Sequence, residues 1–191
     1  MIIEDGGGSG KSAKISADGE VLTQSIAAST EHAANHRGDV YTALFAVDPA
    51  GPDDCIFYMK NTASSDLVIE GVWWQTSAAE EVYYKLGDVG TAVKTAGTDI
   101  VPGNLNAGSG KVASVTCHSN TDDGAVDITG LSGGTTVQKL WLTTTQTQLF
   151  NEEADIIVPK NQTFSIYCVG GDTLLRGSVV FYFASSASIL E

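Results

Sequence analysis

The stretch Cys55–Thr76, CIFYMKNTASSDLVIEGVWWQT, constrains this chain more than any other. Two apolar runs rich in β-branched and aromatic residues, Cys55–Lys60 and Leu67–Trp74, flank the small polar connector Asn61–Asp66. Strand formers on both sides of turn formers predict a β-hairpin with a longer loop. In the second run Leu67, Ile69, Gly71 and Trp73 carry no charge, while Glu70 falls on the offset set. Strand side chains change face at every residue, so the uncharged set is the expected core face. Trp74 then points the other way and becomes the candidate for an exposed, partner-binding position. The hairpin is the expected centre of a β-sandwich.

The rest of the chain repeats this pattern. Val40–Val47 (VYTALFAV) reads as a strand closed by Asp48–Pro52, and Glu81–Leu86 is expected to pair with Thr91–Lys94 around Gly87-Asp88. Further strands are expected at Thr98–Val101, Val112–Ser119, Val137–Thr143 (with Trp141), Asp155–Val158, Thr163–Val169 and Gly177–Phe183. About ten short strands with frequent turns predict an all-β, jelly-roll-like β-sandwich over 40–191.

Residues 1–39 read as an N-terminal arm. It begins with a glycine-rich loop, Asp5–Lys11, followed by a short hairpin about Asp18-Gly19. A helical turn within Ile26–His36 would start at Ser29 or Thr30 and stop at Gly38. So small a hairpin is not stable alone, so it is expected to lie on the main body or on a neighbouring subunit.

Charged residues make up 17% of the chain and the formal net charge is −13. Lysine and arginine are scarce and unclustered, which argues against nucleic acid and leaves a basic protein surface as the expected partner. Cys55, Cys117 and Cys168 each lie in a strand-like run, the setting of inert buried thiols. Their odd number argues against a disulfide framework. With no leader or membrane span read in the sequence, assembly in a reducing cytoplasm is expected.

The short motifs are weak. Gly10-Lys11-Ser12 resembles the end of a phosphate-binding loop, but Asp5 stands where that motif's first glycine belongs. His32 and His36 are spaced as an i, i+4 pair, yet the glutamate of a metalloprotease helix is missing. Arg37-Gly38-Asp39 and the sequon Asn161-Gln-Thr163 are three-residue patterns of little weight. Asp53-Asp54 and Asp122–Asp127 are acidic loops without calcium-loop spacing, expected to be solvated turns. No nucleophile elbow or carboxylate pair stands out, so no catalytic, cofactor-binding or metal residue is assigned and the chain is expected not to be an enzyme.

Ile3-Glu4-Asp5-Gly6, then Gly10-Lys11 and Ala13-Lys14-Ile15, resembles the opening of small virion proteins of tailed bacteriophages. Tyr58-Met59-Lys60-Asn61, followed by Asp66-Leu67-Val68-Ile69-Glu70, is similar to a strand–loop–strand phrase of the same group. The resemblance implies a capsid decoration, cement or head-fibre subunit on the capsid exterior, trimeric, with the major capsid protein as partner. On that reading Ile2, Ile3, Ile15 and Leu22 of the arm, with Trp74, are the expected partner-binding residues. The alternative is a receptor- or carbohydrate-binding tail or baseplate module.

Overall fold

The computed structural model describes residues 3–4, 12–15, 21–22, 30–49, 51–94, 98–119, 128–144, 148–171 and 173–184. The chain divides into two compact units, Met1–Thr30 and Glu31–Glu191. In the first, β1 (Ile3–Glu4), β2 (Ser12–Ile15) and β3 (Val21–Leu22) form a small antiparallel sheet, with Ile3 opposite Ala13 and Lys14 opposite Leu22. The Asp18-Gly19 turn lies outside the described residues.

The second unit is all-β apart from the short helix α1 (Thr30–Arg37). Its strands are β4 (Val40–Val47), β5 (Cys55–Asn61), β6 (Leu67–Thr76), β7 (Glu80–Leu86), β8 (Val89–Lys94), β9 (Thr98–Asp99) and β10 (Gly103–Asn104). They continue as β11 (Val115–Ser119), β12 (Ile128–Ser132), β13 (Thr135–Leu142), β14 (Gln148–Val158), β15 (Thr163–Cys168) and β16 (Leu175–Phe183). A five-stranded sheet in the order β10-β4-β16-β6-β14 faces a six-stranded sheet in the order β13-β7-β15-β5-β11-β9, and β12 pairs with β8 as a separate ribbon. Both large sheets are antiparallel, and one apolar core lies between them, so the unit is a β-sandwich.

The pairings are nested. The outgoing strands β4, β5, β6 and β7 pair with the returning strands β16, β15, β14 and β13 respectively. Consecutive members of each set alternate between the two sheets. The expected Cys55–Thr76 hairpin therefore does not exist: β5 and β6 sit in opposite sheets, joined by an arch. Asn61 holds that arch. Its side-chain amide donates to Ser65 O and Val158 O at 2.9 Å each, and its Oδ1 accepts from the Ala63 amide at 2.9 Å. The expected pairing of Glu81–Leu86 with Thr91–Lys94 fails likewise. β7 pairs with β13 and β15, and β8 pairs with β12. A polar connector between two strands carries no information about whether the strands pair or cross the core.

The tryptophan assignment is also reversed. Trp74 is 1% exposed and Trp73 42%. On both sides of β6 the register skips Glu70: Gly71 faces Val180 and Asn151, while Ile69 faces Phe181 and Ile156. This β-bulge switches the inward set from Leu67 and Ile69 to Val72, Trp74 and Thr76.

Aromatic side chains span the sandwich interior. Phe45 on β4 packs on Phe57 of β5, and on Trp74 of its own sheet, with ring centroids 5.3 Å apart in each case. Phe57, Phe164 and Tyr84 continue the chain through the other sheet. A second small core, Cys55, Tyr58, Ile128 and Tyr167, lies on the far side of the six-stranded sheet, with Leu131 of β12 and Tyr83 packed against it. A third sets Ala34 of α1 among Val40, Val68 and Tyr182. The helix stops at Gly38, whose φ of 71° suits glycine and whose amide donates to Asn35 O at 2.9 Å.

Candidate interaction surface

The outer face of the five-stranded sheet is built from alternate residues of β4, β16 and β6, downstream of the bulge. Ser178 lies opposite Leu44 on one side and Trp73 on the other; one step along, Arg176 lies opposite Ala46 and Gln75. Leu44 is 67% exposed, so an apolar pair flanks a hydroxyl on open surface. A depression of about 230 Å³ is lined by Leu44, Trp73, Gln75, Arg176 and Ser178. A second, of about 260 Å³, is lined by Gln75, Thr76, Ser77, Leu174 and Arg176. The two share Gln75 and Arg176. Arg176 enters no ion pair among the described residues, in a chain with a net charge of −13.

Beneath this face Gly177 makes room for the core. A Cβ there would fall 2.5 Å from Phe45 Cζ and 2.6 Å from the Trp73 carbonyl oxygen. The Phe45 ring fills the space a side chain would need.

A second exposed apolar surface runs along β13, the outermost strand of the six-stranded sheet. Val137 is 47% and Trp141 63% exposed, while Leu140 and Leu142 point into the core. Lys139 lies between Val137 and Trp141, its amine 3.4 Å from the Glu81 carboxylate. Val101, Leu105 and Val112, on the connector around β10, are exposed as well.

Behind the six-stranded sheet lies a closed polar cluster. The buried Asp88 carboxylate accepts from Ser165 Oγ, from the Tyr167 hydroxyl at 3.0 Å and from the Gly134 amide at 3.0 Å. The Lys85 amine sits 4.5 Å from the centre of the Tyr167 ring, which stacks on Tyr83. Burial pushes the Tyr167 hydroxyl well above its usual range, with Cys55 and Asp88 adding to the effect. Burial does the same to the thiols of Cys55 and Cys117, and raises Cys168 to about 12. All three stay neutral thiols, the unreactive form. The sequence around Gly87-Asp88 predicts a turn, and the role of Asp88 as a buried acceptor leaves no mark in it.

The remaining motifs have structural places. Asp39 of the Arg-Gly-Asp triplet binds Arg37 Nε at 3.3 Å and Lys111 Nζ at 2.7 Å, clamping the loop that carries Lys111 to the end of α1. Asn161 adopts φ 66° in the turn between β14 and β15. Asp53 accepts from the Tyr83 hydroxyl, and Asp54 from the Gly51 amide. Among the described residues no group of three His, Cys, Asp or Glu side chains is placed to hold a metal, and no helix is long and apolar enough to cross a membrane. Ile2, the His32 side chain and Asp122–Asp127 lie outside the described residues. Ile3, Ile15 and Leu22 lie on β1, β2 and β3, with their side chains outside the description. Trp74, the fifth expected partner-binding residue, is a core residue, and Trp73 takes the exposed place.

Fold and surface together define an antiparallel β-sandwich with exposed aromatic side chains on a sheet face and on a sheet edge. No family model, curated protein or solved structure matches the chain significantly.

Proposed function

We propose that the protein is a non-enzymatic virion subunit of the capsid decoration or cement type, built on a jelly roll. Two considerations support the fold reading: the nested pairing of β4–β7 with β13–β16, and the alternation of consecutive strands between sheets. Double-sheet jelly rolls of viral capsid domains are wound in this way. Fold alone does not select a function, so the surface must carry it.

The observation that carries the reading is β13, where Val137 and Trp141 stand exposed on an outermost strand. Large apolar groups on open surface mark interaction sites, and repeated weak contacts on a symmetric lattice add up to firm attachment. The partner on this reading is the major capsid protein, the subunit is a homotrimer, and its place is the capsid exterior. The leading segment, with Ile2, Ile3, Ile15 and Leu22, supplies the second set of contacts.

Co-sedimentation of the purified chain with phage capsids tests the proposal, with mass measurement in solution giving the oligomeric state. Binding should be saturable, and should fall sharply in Trp141→Asp and on deletion of Met1–Gln24. A chain that stays in the supernatant at every capsid concentration overturns it.

A further inference from the structure

We propose that the outer face of the five-stranded sheet binds an acidic saccharide, with Trp73 as the apolar platform and Arg176 as the carboxylate-binding group. A pyranose presents a flat C–H face and a rim of hydroxyls, so its site needs one exposed aromatic ring and several donors and acceptors beside it. The two adjoining depressions supply this set: Trp73 and Ser178 on one side, Ser77 on the other, and Gln75 and Arg176 common to both. Small-ligand sites combine apolar lining with a few placed polar groups in this manner.

The charge selects the sugar. Arg176 is an exposed guanidinium with no acidic partner among the described residues, although acids outnumber bases 23 to 10 along the chain. Its fork of N–H donors fits a carboxylate with two parallel hydrogen bonds. The negative field of the whole chain opposes long polyanions, so a glycan with a single acidic unit fits better than a heavily charged polymer. A flat protein partner fits less well, because Ser178 separates Leu44 from Trp73 and the charged Arg176 stands on the next rung, between Ala46 and Gln75. The inference does not rest on the virion reading.

The test is calorimetric titration of the full chain with sialyllactose and with a glucuronate-containing disaccharide. Lactose is the neutral control and tryptophan fluorescence the second readout. At least one acidic sugar should bind saturably with a change in tryptophan emission, and lactose should bind about tenfold or more weakly. Arg176→Ala should lower the acidic sugar to the level of lactose, Trp73→Ala should abolish both, and Trp141→Ala should change neither. Arg176 is exposed, so its variant should melt as the parent does; Trp73 is 42% exposed, so Trp73→Ala should melt lower, and a cooperative melt above the assay temperature confirms that each variant is folded. Three results overturn the inference: equal affinity for acidic and neutral sugars, no binding of either acidic sugar, or binding indifferent to Trp73→Ala and Arg176→Ala. Retention of capsid co-sedimentation in Arg176→Ala would separate this site from the lattice contacts.

Discussion

Trp74 Nε1 donates a 2.9 Å hydrogen bond to the Tyr84 hydroxyl across the sandwich interior. The bond joins β6 of one sheet to β7 of the other, and both side chains are buried. Phe45 against Phe57 makes a second crossing, and Phe164 closes the circuit between Phe57 and Tyr84. Five aromatic groups thus set the relative position of the two sheets by packing, and one polar contact fixes which faces meet. Apolar contacts tolerate sliding, whereas a buried N–H with one acceptor does not.

Tyr84→Phe removes that acceptor and leaves the indole N–H unpaired in the core. A destabilisation of about 1–3 kcal/mol is expected, the usual cost of orphaning a buried donor. Trp74→Phe should cost more through lost volume. The double variant should be less destabilised than the sum of the singles, because the orphaned group is then gone. Denaturant titrations of the four proteins give the coupling; strict additivity would mean the bond contributes nothing.

Asn61 gathers three hydrogen bonds at the β5–β6 arch, two as donor and one as acceptor. Asn61→Ala leaves Val158 O without its side-chain donor and frees the 61–66 connector. A loss of roughly 2–4 kcal/mol is expected, counting about 1 kcal/mol or more for each bond at a buried site. Asn61→Asp keeps the acceptor but sets a carboxylate against two carbonyl oxygens, and should be at least as damaging. Equilibrium unfolding of the two variants decides; a neutral Asn61→Ala would show that the arch holds without this residue.

The sandwich class was legible because β-branched and aromatic runs of strand length recur between turn formers. What was not legible was pairing. The polar link Asn61–Asp66 looks the same whether the chain turns back within one sheet or crosses to the other. The crossing depends on partners far along the chain, β15 for β5 and β14 and β16 for β6. The outward choice of Trp74 failed for a local reason that did leave a trace: Gly71 inside an apolar strand is a bulge signal, and a bulge reverses the faces beyond it. A bulge beside Gly71 puts Trp73 outside and Trp74 in the core. The groove beside Arg176 needs three strands from distant parts of the chain, so no local pattern could reveal it.

Gly177 is held by close approach. With Phe45 Cζ 2.5 Å and the Trp73 carbonyl 2.6 Å from the position of an added Cβ, Gly177→Ala must displace the ring or part the strands. Overpacking of this kind costs about 1–3 kcal/mol. Phe45→Leu should relieve part of it in the double variant. Thermal melts of the set measure this, and a Gly177→Ala protein as stable as its parent would mean the ring moves freely.

Alkaline pH should weaken the fold. Cys168 is raised from 9.0 to about 12, chiefly by burial, and Cys55, Cys117, Tyr83 and Tyr167 are raised for the same leading reason. A neutral native group whose unfolded counterpart has lost its proton makes the native state bind more protons, so stability falls as pH rises. The Cys168 contribution is complete below pH 9 and is lost progressively up to about 12. Denaturant midpoints at increasing pH should decline from pH 9 upward, with a shallower slope in Cys168→Ala; a flat profile would contradict the burial of these thiols.

Asp88 fastens the β8–β12 ribbon to the six-stranded sheet. Its carboxylate, at the start of β8, takes the Gly134 amide between β12 and β13, and the hydroxyls of Ser165 and Tyr167 on β15. Asp88→Ala strands these donors at a buried site, with an expected cost of about 3 kcal/mol or more at 1–3 kcal/mol per unmet group. The loss should be uneven. The main core does not include these groups, so amide exchange should quicken first at Gly134 and along β8 and β12, while β6 and β16 keep their protection until global unfolding. Asp88→Asn retains one acceptor oxygen and should recover part of both stability and protection. If Asp88→Ala instead speeds exchange equally in β6 and at Gly134, the ribbon and the sandwich unfold as one unit, and Asp88 is a core residue and not a local clasp.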